Sequence, residues 1–590
     1  MAEPQTSSDP PPLPSTQPAP PPRRSARCVA AMSLGAAAAV LALVVGALLV
    51  IDRRRAEPTD AFVESPRLEA MKAELGKDPA NTDLATELRE LDLQRRRDYF
   101  HHLTLARWGN YVLIACFAVF LIGARTALAW GKRLRRPGGK PVEVEQEMRA
   151  ARGGRWALGM LAVVLGAGAI SPVAVEAYLR MTAPEPVPTH FADPNDVARY
   201  WAGFRGPGGQ GVSAYTNVPT EWDANSGRNI LWKTPLALPG KGSPAIWGKR
   251  VFLSGASRDR REVYCYDADS GKLLWTAAAK DIPGSPPRAK KAFGDTGYAA
   301  ASPVADDRHV AAIFSNGDLA CFDHEGQLVW AKALGSPINQ YTHGSSLAMW
   351  RNLVIVQWDQ ASVEDHMSKL LAFDVQAGRA VWQKRRPVAN SWTTPAVVFD
   401  DKRHQILTSA NPWVISYDPN SGEELWRAKC MDGADAASSI VFANGVAYAV
   451  SAETELYAIR ADGEGDVTET HVAWQAGDGL PDLTSPLTDG KHVWLLTTMG
   501  TLTCYEAAGG EKVYEHELEK SFNASPSLVG DRLYLVTVKG LTLILAAGRE
   551  PKTLATNALG EAVYASPAFQ DGRIYFRGAK HLFCIAEATP

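Results

Sequence analysis

The chain has 590 residues, enough for several domains and a large hydrophobic core. Its 62 lysine and arginine residues nearly balance 64 aspartate and glutamate residues, and the formal net charge is −2. This balance gives no electrostatic basis for nucleic-acid binding, so we expect no nucleic-acid partner. Nine of the first 22 residues are prolines. Such a segment cannot bury enough apolar surface to fold, which predicts a disordered cytoplasmic tail over residues 1–27.

Three apolar stretches follow, at residues 28–51, 108–130 and 156–175. A transmembrane helix needs about 20 apolar residues to cross the hydrocarbon core, so each stretch is interpreted as a membrane span. A cleaved signal peptide is the alternative for the first stretch. Its apolar region would be about half as long, and the three arginines at 53–55 would be an unusual flank for cleavage.

Orientation follows from the basic loop at residues 131–155, which joins the second and third spans. Short loops rich in lysine and arginine stay in the cytoplasm. We therefore expect a multi-pass protein of a bacterial inner membrane, in contact with the lipid bilayer and with everything after residue 175 in the periplasm. Arg53–Arg55 would then lie outside, against the rule, and Arg23, Arg24 and Arg27 partly offset them.

Two connecting segments flank the second and third spans. Residues 52–107, expected in the periplasm, carry leucine and methionine at helical spacing in two runs. This spacing predicts a short helical hairpin, and a solvated charged connector is the alternative. Residues 176–198 hold three prolines within 183–188, which is typical of a stiff linker.

The remainder, residues 199–590, repeats one phrase. Val263–Trp275 consists of a strand, an acidic turn ending in glycine and a second strand closed by tryptophan, and it recurs down to the C-terminus. Each copy follows a short motif that we call the opener, and consecutive openers lie 40 to 59 residues apart. The eight openers are Ser243-Pro244, Ser302-Pro303, Ser345-Ser346, Thr394-Pro395, Ser438-Ser439, Ser485-Pro486, Ser525-Pro526 and Ser566-Pro567. This period predicts an all-β propeller made of four-stranded blades.

Eight blades are expected. The strand that ends at Trp232 precedes the first opener, whereas the last opener, Ser566, is followed by only about three strands. The N-terminal strand should therefore complete the last blade and close the ring. The tryptophans that end the outer strands are expected to pack against the neighbouring blade. They are Trp232, Trp275, Trp330, Trp382, Trp426 and Trp474.

Four cysteines occupy the same position of the repeat. Cys265, Cys321, Cys504 and Cys584 stand where sister copies have alanine or serine. The position therefore selects a small buried side chain, and equivalent positions in different blades are too far apart for disulfides. We expect four free, buried thiols.

The repeat resembles the tryptophan-docking motif of the pyrroloquinoline quinone (PQQ)-like propeller family, most clearly at Asp418–Trp426. The entry at Tyr200–Gly211, with Val218–Trp222, is similar to the opening of bacterial PQQ-like repeat proteins. The resemblance covers about 390 residues. It implies one of two functions: quinoprotein dehydrogenases bind PQQ and calcium in the ring centre, whereas other members are non-catalytic scaffolds, such as the lipoprotein that assists outer-membrane protein assembly.

The residues favour the non-catalytic branch. The vicinal cysteine pair of many family dehydrogenases is absent, as is a C-x-x-C-H haem site. The blades are interpreted as lacking the long insertions that build a substrate cavity. No catalytic residue or metal ligand is assigned, and no cofactor is expected. PQQ and calcium belong only to the alternative, a membrane-bound dehydrogenase that oxidises alcohols or sugars. A ligand sensor is a third possibility, but the cytoplasmic loop is too short for an output domain.

One cluster is the candidate binding site. Asp359 and Gln360 follow a very apolar strand, and Arg386 and Trp392 precede the fourth opener. Both stretches flank strand ends at the mouth of the channel, where they would bind a partner or ligand. The alternative is an Asp–Arg pair that ties adjacent blades together. We therefore expect a periplasmic scaffold that binds an envelope protein or polymer by surface complementarity.

Overall fold

A computed structural model describes residues 190–587, except 295, 401 and 434, together with scattered residues between 30 and 45 and between 109 and 125. The scattered residues are helical. The third predicted span, the hairpin segment, the basic loop and most of the linker lie outside the described residues. Among the residues that are described, no helix is long and apolar enough to span a membrane. The chain divides into two compact units, Met1–Val187 and Pro188–Pro590.

The second unit is an eight-bladed propeller, as the repeats predict. Each blade is an antiparallel sheet of four principal strands, counted here from the channel outwards. Blades 1 and 2 contain β3 (Ala245–Trp247), β4 (Arg250–Ala256), β5 (Arg261–Asp267), β6 (Leu273–Ala278), β7 (Val304–Ala305), β8 (His309–Ile313), β9 (Asp318–Asp323) and β10 (Leu328–Ala333). Blades 3 and 4 contain β11 (Ala348–Trp350), β12 (Leu353–Trp358), β13 (Lys369–Asp374), β14 (Ala380–Arg385), β15 (Ala396–Phe399), β16 (His404–Ala410), β17 (Trp413–Tyr417) and β18 (Glu424–Lys429).

The other four blades continue the order. Blades 5 and 6 contain β19 (Val441–Ala443), β20 (Val446–Ser451), β21 (Glu455–Arg460), β23 (Val472–Ala476), β24 (Leu487–Thr488), β25 (His492–Leu496), β26 (Thr501–Glu506) and β27 (Lys512–Glu517). Blades 7 and 8 contain β28 (Ser527–Val529), β29 (Arg532–Val536), β30 (Leu541–Ala546), β31 (Thr553–Ala558), β32 (Ala568–Gln570), β33 (Arg573–Arg577), β34 (His581–Ala586) and β2 (Ile230–Pro235).

Blade 8 is assembled from both ends of the propeller. Strand β2 pairs antiparallel with β34, with Trp232 opposite Cys584. The predicted split blade is therefore present. Since β2 comes before blade 1 and β34 is the last strand that the structure describes, their pairing closes the ring.

The burial pattern explains the sequence pattern of each blade. The third strand is enclosed on both faces, and in β5 every residue but the last is buried. The outer strand is more exposed: in β6 only Ala277 is buried, Trp275 is half-buried and the other four residues are exposed. The core lies between blades: one cluster joins Phe252 and Cys265 of blade 1 to Val310 and Phe322 of blade 2.

Tryptophans at the ends of the outer strands contact the following blade. The indole Nε1 of Trp232 donates to the carbonyl of Ala268 at 3.0 Å, and that of Trp330 donates to Val375 at 2.7 Å. The turn glycine of the following blade lies against the ring, and its φ is positive, as in Gly271 (φ 69°). A Cβ on Gly271 would lie 2.5 Å from the Trp232 ring, so any larger residue would displace the tryptophan.

The indole of Trp426 is bonded differently. Its Nε1 donates to the side chain of Gln405 in its own blade at 2.8 Å. Two additional elements cover this position, β22 (Gly465–Asp466), which pairs parallel with β18, and α2 (Thr468–His471). Both elements belong to the segment that replaces the acidic turn in blade 5. The carbonyl of Ala461 there accepts from the Gln405 Nε2 atom at 3.0 Å, so Gln405 links the indole to the next blade.

A row of seven hydrogen bonds links the eight openers around the channel. In seven consecutive steps, the backbone N–H of one opener donates to the hydroxyl of the opener in the next blade at 2.8 to 3.0 Å. The residues in order are Ser243, Ser302, Ser346, Thr394, Ser439, Ser485, Ser525 and Ser566. All eight are buried. Each hydroxyl from Ser302 onwards therefore accepts from a backbone N–H of the preceding blade, which has no strand partner within that blade.

A segment that we call the plug, Trp201–Ser213, runs along the channel-facing strands after helix α1 (Pro194–Arg199). It contains a short 3-10 turn at Pro207–Gly209 and strand β1 (Val212–Ser213), which pairs parallel with β28 of blade 7. Its backbone or side chains contact the inner residues of blades 1, 2 and 4 to 8.

Arg205 of the plug is fully buried and donates from Nη2 to the carbonyl of Pro486 at 2.7 Å. No carboxylate of the described residues pairs with it, and burial lowers its pKa to about 9. Because a buried cation is destabilised when it loses its acceptors, these carbonyls hold the plug in one position against the inner strands.

The four repeat cysteines are buried and free, as predicted. Burial raises the pKa of Cys265, Cys504 and Cys584 to about 12, so these thiols are protonated and unreactive at neutral pH.

The row of opener hydroxyls makes a testable contribution to stability. Replacing Ser485 by alanine leaves the N–H of Ser439 buried without an acceptor, and we expect a loss of about 1 to 3 kcal/mol in the free energy of unfolding. The measurement is equilibrium urea unfolding followed by tryptophan fluorescence.

Two variants serve as controls for this experiment. Ser485→Thr keeps the hydroxyl, as Thr394 does in its own blade, and should lose much less. Ser521→Ala changes an exposed serine nearby and should stay within about 0.5 kcal/mol of the parent. Equal losses for alanine at 485 and 521 would contradict a structural role for the hydroxyl.

Candidate binding surface

One face of the propeller carries the longer connections. In a blade, the connection from the outer strand to the next blade emerges on the same face as the turn between the second and third strands. On blades 1 to 4 this face is formed by residues 279–303, 334–347, 359–368 and 386–395. The expectation that long insertions are lacking was wrong at this position, because residues 279–303 form an extended irregular segment between β6 and β7.

Asp359 and Arg386 form a buried ion pair beneath this face. The Arg386 Nε and Nη2 atoms donate to the two Asp359 carboxylate oxygens at 2.8 and 3.2 Å. Arg386 also donates from Nη1 to the hydroxyl of Thr408 in blade 4 at 2.5 Å. Burial alone would lower the pKa of Arg386, but Asp359 outweighs it and the pKa is raised. This arrangement agrees with the alternative interpretation of the sequence, in which an Asp–Arg pair ties adjacent blades together, here blades 3 and 4.

The amide of Gln357 joins the same network. Its Nε2 donates to Asp359 Oδ2 at 2.8 Å, and the Ser391 hydroxyl donates to that oxygen at 2.7 Å. Both Asp359 and Arg386 are at most 3 % exposed. The pair therefore positions the connections above it, and direct partner binding by these two residues stays a prediction.

Gln360 and Trp392 support the connection at residues 334–347. The Gln360 Oε1 atom accepts from the backbone N–H of Ile338 at 3.1 Å. The Trp392 Nε1 atom donates to the carbonyl of Thr342 at 3.0 Å. The four residues chosen from the sequence thus lie together under one surface, and Trp392 is the one that takes part in it.

The surface itself contains an aromatic cluster, Phe293, Tyr341 and Trp392, drawn from three successive connections. The Phe293 and Tyr341 rings are 5.4 Å apart, and Tyr341 meets Trp392 edge-on at 5.2 Å. Phe293 is 53 % exposed and nearby Ile338 is 56 % exposed. Sequence reasoning missed Phe293, Tyr341 and Ile338. The sequence does contain one signal for this cluster. Phe293 lies in a stretch rich in glycine, proline and lysine, where no predicted core needs an aromatic side chain.

Two neighbouring pockets open on this face. The first, which we call the basic pocket, has a volume of about 450 Å³ and is lined by Lys290, Lys291, Ser315, Asn316, Ser336, Pro337, Ile338, Asn339, Gln340 and Thr342. The second, the acidic pocket, has about 320 Å³ and is lined by Ser362, Val363, Glu364, Ala389, Asn390, Asn411, Gly433 and Asp435. The surface therefore has positive charge at one pocket and negative charge at the other.

His343 lies under the basic pocket as a packing residue. It is buried, and its ring stacks on Trp358 at 4.9 Å. Burial lowers its pKa to about 4, so the imidazole is neutral at physiological pH.

The buried carboxylates do not fit a cation-bound quinone. PQQ chemistry needs a cation to polarise the quinone and a carboxylate base within reach. All four buried carboxylates found in the described part of the chain already pair with arginine or histidine. The pairs are Glu262–Arg260, Asp306–His309, Asp318–Arg261 and Asp359–Arg386. In the same residues, no three histidine, cysteine, aspartate or glutamate side chains converge as metal ligands.

The geometry defines the class of protein as an eight-bladed propeller with PQQ-like, tryptophan-docked repeats. The PQQ-like repeat family described as "Outer membrane protein assembly factor BamB" matches residues 202–341, 366–485 and 466–550. These ranges span more than half of the chain, and the chain belongs to this family. No curated protein sequence matches it.

Three solved structures are similar to this chain at low sequence identity. Quinohemoprotein alcohol dehydrogenase from Comamonas testosteroni is 12 % identical, with a TM-score of 0.51 over 67 % of this chain and 82 % of that one. BamB from Moraxella catarrhalis is 16 % identical, with a TM-score of 0.46 over 61 % of this chain and 97 % of that one. A europium-containing methanol dehydrogenase is 10 % identical, with a TM-score of 0.48 over 65 % and 90 %. At 12 % identity, the likeness to the Comamonas enzyme shows the fold alone.

The buried ion pair can be tested by a double-mutant cycle. Asp359→Asn and Arg386→Gln each leave one buried charge unpaired, and we expect each to cost about 3 to 5 kcal/mol of unfolding free energy. The double variant should cost clearly less than the sum, because it leaves neither charge behind. Urea unfolding of the four proteins measures the coupling.

An exposed pair provides the matched control. Lys249 and Asp269 lie 3.0 Å apart on the opposite face, and the Lys249 side chain is 81 % exposed. Breaking that pair should cost less than about 1 kcal/mol. Additive losses at 359 and 386, of the same size as in the control pair, would contradict the structural role of the buried pair.

Proposed function

We propose that this chain is a membrane-anchored scaffold whose periplasmic propeller binds a protein of the cell envelope and catalyses no reaction. The carrying observation is the aromatic cluster. Phe293, Tyr341 and Trp392 come from three separate connections, and Phe293 and Ile338 are left more than half exposed. Exposed aromatic and apolar groups held on a rigid frame are typical of the centres of protein interfaces.

The rigidity of the frame supports the same proposal. The connections are fixed by the Asp359–Arg386 pair, by Gln360 and by the Trp392 indole, so little conformational entropy is lost when a partner docks. The description of the family, an outer membrane protein assembly factor, agrees with a scaffold. The membrane anchor and the periplasmic location rest on the apolar stretches and the basic loop of the sequence.

Site-specific photo-crosslinking tests the binding surface. A photoreactive phenylalanine analogue in place of Phe293 should crosslink the full-length chain to a defined envelope protein in living cells. The control is Phe399, which is 50 % exposed at the end of β15 on the opposite face, and it should give no such product.

Three outcomes of this experiment are informative. A protein adduct at 293 that is absent at 399 supports the proposal. Equal adducts at both positions, or none at 293, contradict it. A glycan adduct at 293 would assign the surface to an envelope polymer instead.

The dehydrogenase alternative makes a separate prediction. If the ring centre held PQQ and calcium, adding both to the purified chain would produce quinone absorbance and reduction of a dye with alcohols or sugars. We expect neither, because the buried carboxylates are occupied by arginine and histidine. Dye reduction above that of a heat-denatured sample would overturn the non-catalytic proposal.

A further inference from the structure

The two pockets of the binding surface are adjacent and oppositely charged. The backbone N–H of Ala361 donates to the carbonyl of Ile338, in the basic pocket, at 2.7 Å. The N–H of Asn390, in the acidic pocket, donates to the carbonyl of Ala361 at 2.9 Å. Ala361 therefore lies between the two pockets, and we call the two adjacent pockets together the groove.

The basic pocket presents charge that is not neutralised locally. Lys290 and Lys291 are exposed, and neither forms an ion pair with any described residue. Beneath them lie Ser315 and Asn316, which are 4 % and 3 % exposed, and the pocket wall includes the exposed side chain of Ile338. This combination suits a carboxylate next to an apolar side chain.

The acidic pocket has the opposite character. Glu364 and Asp435 are exposed, Val363 and Ala389 line the same pocket, and no lysine or arginine does. A lysine or arginine side chain fits here, because its aliphatic stem can cover Val363 while its charged end meets the carboxylates.

We infer that the groove binds an extended segment of a partner protein, with an acidic side chain in the basic pocket and a basic side chain in the acidic pocket. The inference rests on the proposed function and adds the chemistry of the partner. Charge complementarity of this kind fixes the register and orientation of a bound chain.

The same charges argue against an envelope polymer as the occupant. A uniformly anionic polysaccharide that satisfied Lys290 and Lys291 would place negative groups beside Glu364 and Asp435. A peptide can change the sign of its charge within a few residues, since each residue of an extended chain advances about 3.3 Å. It also supplies apolar side chains for Ile338 and Val363.

Synthetic peptides test the inference with the full-length chain. Three fluorescent probes share an apolar centre: one has acidic residues at one end and basic residues at the other, one has only the acidic end, and one has only the basic end. Uncharged residues replace the missing charges. Fluorescence anisotropy gives the Kd of each, and the bipolar probe should bind most tightly and weaken as salt rises.

Charge reversal in each pocket gives the matched comparison. Lys290→Glu with Lys291→Glu should weaken the bipolar and acidic probes by about three- to tenfold and leave the basic probe unaffected. Glu364→Lys with Asp435→Lys should do the reverse. Lys249→Glu, on the opposite face, should change nothing. These side chains are exposed, so the variants should fold like the parent, which the thermal unfolding midpoint verifies.

The inference is overturned if the bipolar probe binds no more tightly than the two probes with one charged end, if Lys249→Glu weakens binding as much as the pocket variants, or if an oligogalacturonate binds and the peptides do not. Its failure is distinguishable from failure of the proposed function. A protein adduct at position 293 together with peptide binding that ignores the pocket charges would keep the scaffold and reject this partner chemistry.

Discussion

The hydrogen bond from the N–H of one opener to the hydroxyl of the next is the interaction on which the propeller depends. Inner strands of neighbouring blades converge at the channel, where their edge N–H groups have no strand to pair with. In seven of the eight blades, a serine or threonine at the start of the blade provides the acceptor at 2.8 to 3.0 Å. Buried amides left unpaired would each cost free energy comparable to a lost hydrogen bond. The hydroxyls therefore set the radius at which eight blades meet.

Much of this architecture could be predicted because each repeat encodes it locally. The turn glycine and the outer tryptophan recur at fixed spacing, and they meet across the blade boundary, as Gly271 does with Trp232. The split blade followed from a tryptophan strand that lacked an opener and an opener that lacked a fourth strand. The role of the opener serine was missed, since spacing alone does not reveal that its hydroxyl bonds to the preceding blade rather than to its own.

The candidate site was only partly predictable. Asp359 and Arg386 were selected as unusual charges near strand ends, but their burial depends on Thr408 and Ser391, which belong to other segments of the chain. Phe293 and Tyr341 are close only because two irregular connections fold over one another, and irregular segments have no periodicity from which contacts can be inferred. The plug was missed for a similar reason. Its glycine-rich sequence indicates turns, but it does not indicate that these turns run along the inner strands of the blades.

The plug also has a consequence for how the chain acquires its structure. Both elements that close the ring, β2 and the plug, are synthesised before blade 1, whereas some of their partners are synthesised last. Arg205 and Pro526 are 321 residues apart in the chain. The plug and β2 therefore lack these partner strands until blades 7 and 8 have been synthesised. Closing the ring over such a separation in sequence is slow compared with hairpin formation. Within the propeller, the segment that is synthesised first is therefore among the last to be buried and paired.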